Sequence, residues 1–311
     1  MKIIYDLADS STRLDSVVTI GAFDGAHVGH QVLIRQLVAR ARALGCQAAL
    51  ITFYPHPSEV LTGPAASRYL TTPGEKAAIL ERLGIDLLVI LAFTRRIART
   101  SASEFLAQVC NALRMRELWV GSQFALGYGR KGDILTLLAL GRTLGFELHV
   151  VQPVLYEGEL VTSSRIRELV LAGRVREAAR LLGRFYSVVG EVVHGDDRGR
   201  LLGFPTANLK VRAERIVPLN GVYVGYAWVG EERHQAVMNV GVRPTFEDDE
   251  RLLEAHLLNF DGDLYGTDLL VEFVERLRPE TRFDSPEELI AQMHNDTARG
   301  REILAAEAEA H

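Results

Sequence analysis

Cysteine is nearly absent from these 311 residues, with only Cys46 and Cys110 present. That is too few for a disulfide framework or a cysteine zinc site, and it suits a reducing compartment. Long apolar runs are missing as well. The longest, Leu87 to Phe93, falls far short of the ~18 residues of a membrane span. Asp6 interrupts any signal-peptide core near the start, so a soluble, cytoplasmic protein is expected. Excess positive charge is the third absence. Lys and Arg total 35 against 40 Asp and Glu, a formal net charge of −5, so no general field gathers nucleic acid or anionic lipid; neither is an expected partner. The chain also has no Walker A sequence, HExxH pair or GxSxG elbow, which removes P-loop kinases, zincins and α/β hydrolases.

What the chain does have is apolar material for folding. Hydrophobic residues at 48% and charged residues at 24% are globular values that exclude disorder, and at roughly 150 residues per domain the length suggests about two domains. The two halves follow different periods. From Val17 to about Val151 a helix-period stretch, a Leu-Gly pair or near equivalent, and a short β-branched run recur. Leu44-Gly45 precedes a strand Ala48–Phe53, Leu83-Gly84 precedes Leu87–Leu91, and Leu144-Gly145 precedes Phe146–Val151. Glycine after a last helical turn is the left-handed C-cap, and strands reached through helices lie parallel in a covered sheet. A doubly wound α/β domain is therefore expected, opening with strand Val17–Gly21 and including Glu117–Gly121.

Short helices are expected after Ser163-Ser164 and after Gly173. Past Arg184 the period becomes two. Tyr186–Val193, Val222–Val229, Gln235–Val240, Leu252–Phe260 and Leu269–Leu277 read as strands joined by turn chemistry such as Asn220-Gly221 and Asp261-Gly262. That pattern points to a closed or nearly closed antiparallel barrel. A terminal helix begins at Ser285-Pro286-Glu287-Glu288, with an N-cap serine, proline at the first helical position and Glu288 as capping-box partner. The boundary falls near Gly183, giving domains 1–183 and 184–311.

The loop leaving the first strand reads Gly21-Ala22-Phe23-Asp24-Gly25-Ala26-His27-Val28-Gly29-His30, and helical spacing follows from Gln31. In an open α/β sheet ligands bind where loops leave the carboxyl ends of strands, and a helix N-terminus there offers N–H groups to an anion. Gly21, Gly25 and Gly29 allow close backbone approach, while His27 and His30 can donate to charged phosphate oxygens. A half-built metal site, or turn glycines with incidental histidines, are the alternatives. A second anion site is suggested at Val161-Thr162-Ser163-Ser164-Arg165-Ile166-Arg167, where first-turn arginines oppose the helix dipole unless a phosphate reverses the sign; simple capping by Ser164 is the alternative. Gly127-Tyr128-Gly129-Arg130-Lys131-Gly132 matches the dinucleotide fingerprint by letter, but it does not leave the first strand, and Glu147 would open a strand instead of ending one. It reads as a mobile basic loop over a nucleotide site.

In the second half, Gly195 to Asn208 contains glycines that permit close approach to phosphate. Thr206 and Asn208 bring oxygen donors suited to Mg²⁺, which prefers few protein ligands together with phosphate and water. An ordinary Gly-Pro-Asn turn is the alternative.

These segments, with Thr52-Phe53-Tyr54-Pro55-His56-Pro57, Gly203-Phe204-Pro205-Thr206-Ala207-Asn208, Asn239 to Thr245 and Glu254 to Gly266, resemble the bacterial bifunctional riboflavin kinase / FAD synthetase (FMN adenylyltransferase) family over essentially the whole chain. The resemblance implies a Rossmann-like nucleotidylyltransferase domain with a parallel sheet, followed by a six-stranded antiparallel riboflavin kinase-like barrel with a terminal helix. It implies ATP-dependent phosphorylation of riboflavin to FMN and adenylylation of FMN to FAD, with riboflavin, FMN and ATP as partners and Mg²⁺ as cofactor.

By the same resemblance, His27 and His30 bind ATP phosphates and stabilise charge in a loop formed with Gly21, Phe23, Asp24, Gly25 and Gly29. Ser163, Ser164 and Arg167 hold the pyrophosphate end, and Phe53, His56 and Gln123 contact flavin. In the barrel it implies ATP contacts at Gly195 and Gly203, Mg²⁺ on Thr206 and Asn208, and Glu254 as catalytic base. A carboxylate within reach of the attacking hydroxyl suits that chemistry, and inside an apolar strand a purely structural glutamate is costly. One segment departs from the family pattern: Gln123-Phe124-Ala125 replaces Asp or Asn, Phe, and often Arg. A flavin-binding protein retaining only one of the two activities therefore stays open as an alternative.

Overall fold

The computed structural model describes residues 1–11, 13–63, 68–195, 203–244 and 249–309, with 242–244 and 249–251 as backbone alone. Contacts group the chain into two compact units, Met1–Ser163 and Ser164–His311.

The first unit is a parallel sheet of β1 (Lys2–Ile4), β2 (Ser16–Ile20), β3 (Gln47–Tyr54), β4 (Leu87–Ala92), β5 (Met115–Gly121) and β6 (Glu147–Val151) in the order β1-β4-β3-β2-β5-β6. Its helices are α1 (Val28–Leu44), α2 (Pro57–Thr62), α3 (Pro73–Arg82), α4 (Arg95–Arg99), α5 (Ala102–Leu113) and α6 (Ile134–Leu144). Alternate strand residues enter different cores. Val17, Ala48, Leu50, Leu88 and Ile90 pack with Ile34 and Leu37 of α1 and Leu80 of α3, whereas Val18, Ile20, Ala49, Ile51, Val89 and Leu118 pack with Leu106 and Val109 of α5. A sheet buried on both faces needs this near-continuous apolar sequence, which is what the strands carry. The expected helix stops hold: Gly45 and Gly145 are left-handed C-caps at φ 63° and 80°. β1 was not expected; it is a short strand that pairs only with β4.

Strand order fixes where a ligand can sit. From β2 the chain adds β3 and then β4 on one side, and afterwards β5 and β6 on the other. The order therefore reverses between β2 and β5, whose carboxyl ends frame the crevice of an open α/β sheet. The Gly21–His30 loop leaves one of these strands and the Gln123 segment the other.

The unit closes with a small hairpin, β7 (Leu155–Tyr156) and β8 (Glu159–Leu160). The division falls at the first residue of α7 (Ser163–Leu171), and the second unit continues with α8 (Val175–Leu182), then β9 (Tyr186–Val193), β10 (Ala207–Lys210), β11 (Gly221–Val229), β12 (Glu232–Pro244), β13 (Asp249–Leu257), β14 (Asp268–Arg278) and α9 (Pro286–Glu309). The strands close into a barrel in the order β10-β13-β12-β11-β14-β9. The expected barrel is thus present, with the short β10 as its sixth strand.

The turn reading needs correction. Neither Asn220-Gly221 nor Asp261-Gly262 closes a hairpin, because β11 pairs with β12 and β14, and β13 with β10 and β12. A Cβ at Gly221 would lie 2.6 Å from the Arg278 carbonyl oxygen, so this glycine serves strand approach. The tight turn is at Gly230 (φ 61°), between paired Val229 and Glu232.

Ser285 caps α9 as expected, its Oγ accepting the Glu288 N–H at 3.2 Å, but the expected capping box is not the one formed: the Glu288 carboxylate accepts from the N–H of Asp284, one residue ahead of the N-cap. The helix is fastened to the barrel by Arg278, whose guanidinium donates to buried Asp296 at 2.8 to 3.1 Å. Gly300 lets it come close, since a Cβ there would lie 2.9 Å from Val224 Cγ2.

α7 and α8 belong with the barrel by packing. Val175, Ala178, Leu181 and Leu182 of α8 are buried, and Gly173 lies where a Cβ would meet Arg276 and Tyr223 at 2.9 and 3.0 Å. A chain beginning at Ser164 should therefore be more stable than one beginning at Arg184, by on the order of 5 kcal/mol for the apolar face of α8. Denaturant unfolding of the two fragments checks this, and equal stabilities would contradict it.

Candidate active sites

In the first unit, β2 ends at Ile20 and the chain turns through a 3-10 turn, Asp24–Ala26, with φ of 47° at Phe23, 76° at Gly25 and 39° at Ala26. Non-glycine residues adopt such angles only where surroundings impose them. Asp24 is the brace. Only 1% exposed, its carboxylate accepts from Leu70 N–H, Thr71 N–H and the Thr71 hydroxyl at 3.0 to 3.1 Å. Thr71 Oγ1 in turn accepts Gly25 N–H at 3.0 Å. Asp24, expected at the phosphates, thus holds the loop by its carboxylate. Gly21 leaves room for the Phe23 ring, and Gly29 for the His27 ring.

His27 caps α1, its Nδ1 accepting the His30 N–H at 3.3 Å. The two imidazoles stack at 3.6 Å between centroids, with Phe23 on the His30 side at 4.9 Å. His30 Nδ1 is buried and has no hydrogen-bond partner among the described residues. Burial, then the neighbouring His27, then Lys76 hold the His30 imidazole well below its ordinary pKa, so it is neutral at pH 7. An unpaired polar atom under cover costs about 1–3 kcal/mol, which a ligand atom would relieve. The His/Cys/Asp/Glu group with metal-like spacing among the described residues is Glu117, Glu147 and His149 on β5 and β6, and there Glu117 is engaged by Arg40 and Trp119.

Beneath the loop lies a residue the sequence reading missed. Lys76 of α3 is 6% exposed, and its ammonium donates to the Ala22 carbonyl at 2.6 Å and to Thr52 Oγ1 at 3.3 Å. The available signal was a lysine on the stripe that α3 buries with Ala77 and Leu80.

Other expected residues are dispersed. The Ser163 hydroxyl donates to the Asp24 carbonyl at 2.8 Å and so ties the end of this unit to the loop, while Ser164 and Arg167 lie on α7 in the second unit. Phe53 packs into the core edge-on to Phe93. His56 caps α2, accepting from Ser58 N–H at 3.2 Å, and its own N–H donates to the Tyr69 hydroxyl at 2.7 Å. Gln123 is exposed beyond β5, its carbonyl accepting from Arg130 at 3.2 Å. The Gly127–Gly132 segment, expected to be mobile, is a pinned turn. Leu126 and Gly132 exchange backbone hydrogen bonds at 2.9 and 3.1 Å, and Tyr128 N–H reaches the Thr100 carbonyl at 2.9 Å.

In the barrel, Glu254 on β13 pairs in register with Asn208 on β10 and Asn239 on β12. Leu209, Leu253 and Val240 occupy the alternate, buried positions, so Asn208, Glu254 and Asn239 form a polar row on the other face of three adjacent strands. Glu254 is half-buried on that face, so the expected cost of a carboxylate among interior apolar residues does not apply. Asn239 Nδ2 donates to Glu254 Oε2 at 3.3 Å.

Asn208 is 8% exposed, and its Oδ1 has no hydrogen-bond partner among the described residues. A buried, unpaired carbonyl oxygen beside a carboxylate suits a hard cation. Gly195 makes room for it, since a Cβ there would lie 2.1 Å from Asn208 Nδ2. Gly203 turns with φ 83° toward Phe204 and Thr206. His256, two residues past Glu254, bonds through Nδ1 to the Pro205 carbonyl at 2.8 Å. Residues 196–202 and Thr245, part of the expected motifs, lie outside the described residues.

The comparisons with known proteins agree on both units. A riboflavin kinase family model matches residues 182–304 and an FAD synthetase family model matches residues 9–165. Relatives described as bifunctional riboflavin kinase/FMN adenylyltransferase are 35% identical in Listeria monocytogenes, over 98% of this chain and 99% of the relative. In Pseudomonas fluorescens the identity is 38%, over 94% of each, and in Escherichia coli 36%, over 93% and 92%. A crystal structure from Streptococcus pneumoniae, described as a macrolide-efflux protein, has a TM-score of 0.90 and 33% identity, covering 96% of this chain and 98% of that one. Among the described residues of this chain no helix is long and apolar enough to cross a membrane.

Lys76 makes the stability of the fold depend on pH. Burial pushes its ammonium down to about 8 from the ordinary 10.5, against the pull of Asp24. Unfolding therefore takes up a proton between those values, and stability rises with pH across that window. The penalty of the buried charge is full below about 8 and gone above 10.5. Lys76→Met removes it at every pH, so the variant's stability relative to the parent, read by denaturant unfolding, should be greatest near pH 8 and decline toward pH 10. A difference independent of pH would contradict a buried, charged Lys76.

Proposed function

The chain belongs to the bifunctional riboflavin kinase/FMN adenylyltransferase family, and on that premise we propose how its parts divide the work. It phosphorylates riboflavin to FMN and adenylylates FMN to FAD, using ATP in both reactions. We assign the kinase activity to 184–311 and the adenylyltransferase activity to 1–183, although the folding unit that holds the barrel begins at Ser164. Enzymes of both kinds generally need a divalent metal. Cytoplasmic location is part of the same proposal, supported by the free cysteines Cys46 and Cys110.

The observation that carries the kinase assignment is the Asn208–Glu254–Asn239 row. Glu254 accepts the proton of riboflavin's terminal ribityl hydroxyl as that oxygen attacks the γ-phosphorus of ATP and ADP leaves, while Asn239 orients the carboxylate by its hydrogen bond. Asn208 Oδ1 and the Thr206 hydroxyl would hold Mg²⁺, which when bound neutralises phosphate charge. Gly195 and Gly203 let the backbone approach the nucleotide.

In the α/β unit the phosphate of FMN attacks the α-phosphorus of ATP and pyrophosphate leaves. Charge builds on phosphate oxygens, so pre-placed donors stabilise the transition state. His27 and His30 supply them at the N-terminus of α1, with His30 held neutral and its Nδ1 unpaired among the described residues. Gly21, Phe23, Gly25 and Gly29 shape the loop and Asp24 fixes it. Ser163, Ser164 and Arg167 hold the pyrophosphate end. Phe53, His56 and Gln123 face flavin in this reading, with Gln123 at the carboxyl end of β5 beside the loop.

Changing His27 and His30 together to Ala should lower FAD formation from supplied FMN by ~10²-fold or more and leave riboflavin phosphorylation at the parent rate. Equal damage to both activities, measured by chromatography of the flavins, would point to a shared site and overturn the division.

Glu254→Gln keeps side-chain size and removes the base, so FMN formation should fall by ~10²- to 10⁴-fold, with riboflavin binding and FAD formation retained. A parent-like rate of phosphorylation across pH would place the base elsewhere.

A further inference from the structure

Lys76 carries a charge that the fold gains nothing from by itself. Its ammonium, six per cent exposed with its residue, is bound among the described residues only by the neutral oxygens of Ala22 and Thr52. Thr52 Oγ1 donates to the same Ala22 carbonyl at 3.0 Å. No carboxylate is within ion-pair distance of Lys76 among the described residues. Asp24 attracts it from farther away and is turned instead to Leu70 and Thr71. Burying an unpaired charge is costly, and methionine would fill a similar space without that cost.

The benefit lies on the other side of the peptide plane. Carbonyl and N–H of a trans peptide point in opposite directions, so an Ala22 carbonyl fixed on Lys76 sends the Phe23 N–H away from α3. That N–H makes no hydrogen bond among the described residues. The loop thus presents an unpaired amide at its first left-handed residue, ahead of the histidine pair, with a positive charge directly behind it. An anion completes both.

We propose that Lys76 is a positioning residue for ATP in adenylyl transfer: it fixes the Ala22 carbonyl so that the loop offers its N–H groups to phosphate, and the polyphosphate supplies the counter-charge the protein withholds. This rests on reading Gly21–His30 as the phosphate loop. A bound polyphosphate would also draw the ammonium's proton affinity back up. The low polarity around Lys76 strengthens its field at the loop compared with a solvated lysine.

The test uses the full-length protein, with KM for ATP, KM for FMN and kcat measured in FAD formation, riboflavin phosphorylation as the internal control, and thermal unfolding without nucleotide. Lys76→Met should raise KM for ATP about tenfold, less than loss of a direct phosphate donor. KM for FMN and riboflavin phosphorylation should stay unchanged, and nucleotide-free Tm should not fall. Lys76→Gln keeps an N–H for Ala22 but no charge, and should show the ATP defect as well. A parent-like KM for ATP in either variant, or a lowered Tm with both KM values shifted together, would overturn the proposal and leave Lys76 structural. The His27, His30 double alanine variant separates the two levels. If it loses FAD formation while Lys76→Met is parent-like, the Lys76 role alone falls. If the double variant keeps parent FAD formation, the phosphate-loop reading falls and takes this proposal with it.

Discussion

A polar atom removed from water must find a partner, at a cost of about 1–3 kcal/mol if it does not, and this requirement organises both sites. Around His30 the fold meets it almost everywhere. Asp24 takes donors from Leu70 and Thr71, Thr71 takes Gly25 N–H, Lys76 and Thr52 share the Ala22 carbonyl, and His27 takes the His30 N–H. His30 Nδ1 is left over among the described residues. In the barrel, Asn239 bonds Glu254 and His256 bonds the Pro205 carbonyl, while Asn208 Oδ1 is left over among the described residues. Surroundings so fully paired hold these atoms in place before a substrate arrives, which is what stabilising a transition state requires.

Much of this was legible in the sequence because it rests on local rules. Glycine C-caps at Gly45 and Gly145, the strand periods of both halves, and the serine cap of the last helix are short-range signals, and they placed the elements within a few residues. The course of the loop from Gly21 to His30 was legible for the same reason: its glycines and histidines sit between a strand and a helix. What could not be read depends on which strands become neighbours. β1 and β10 are too short to show a period, and their places come from pairing with β4 and with β9 and β13. The Asn220-Gly221 and Asp261-Gly262 pairs look like hairpin turns, yet the barrel order separates the strands they follow and precede. Glu254 looked like a charge in an interior because its strand is apolar, and only the register with Leu209 and Val240 reveals that it faces the other way. Lys76 was hidden because a helix stripe does not show that its lysine ends under a loop some fifty residues earlier.

We propose that each unit handles ATP in a different way. In the proposed reading the α/β unit would use the reversal of strand order between β2 and β5, with phosphate at a helix N-terminus. The barrel would use a row of side chains across three strands, where Gly195 gives Asn208 its space. Relatives in several bacteria match this chain across both halves at 35–38% identity, so the pairing of the two units on one chain is a property of the family.

The central claim is that one chain performs two chemically different transfers from ATP, γ-phosphoryl to riboflavin and adenylyl to FMN. Incubating the purified protein with riboflavin and ATP labelled either at the γ- or at the α-phosphorus, then separating the flavins, tests it most directly. The account predicts γ-label in both FMN and FAD, and α-label in FAD alone. Label from the α-position in FMN, or FAD that carries no γ-label, would contradict it.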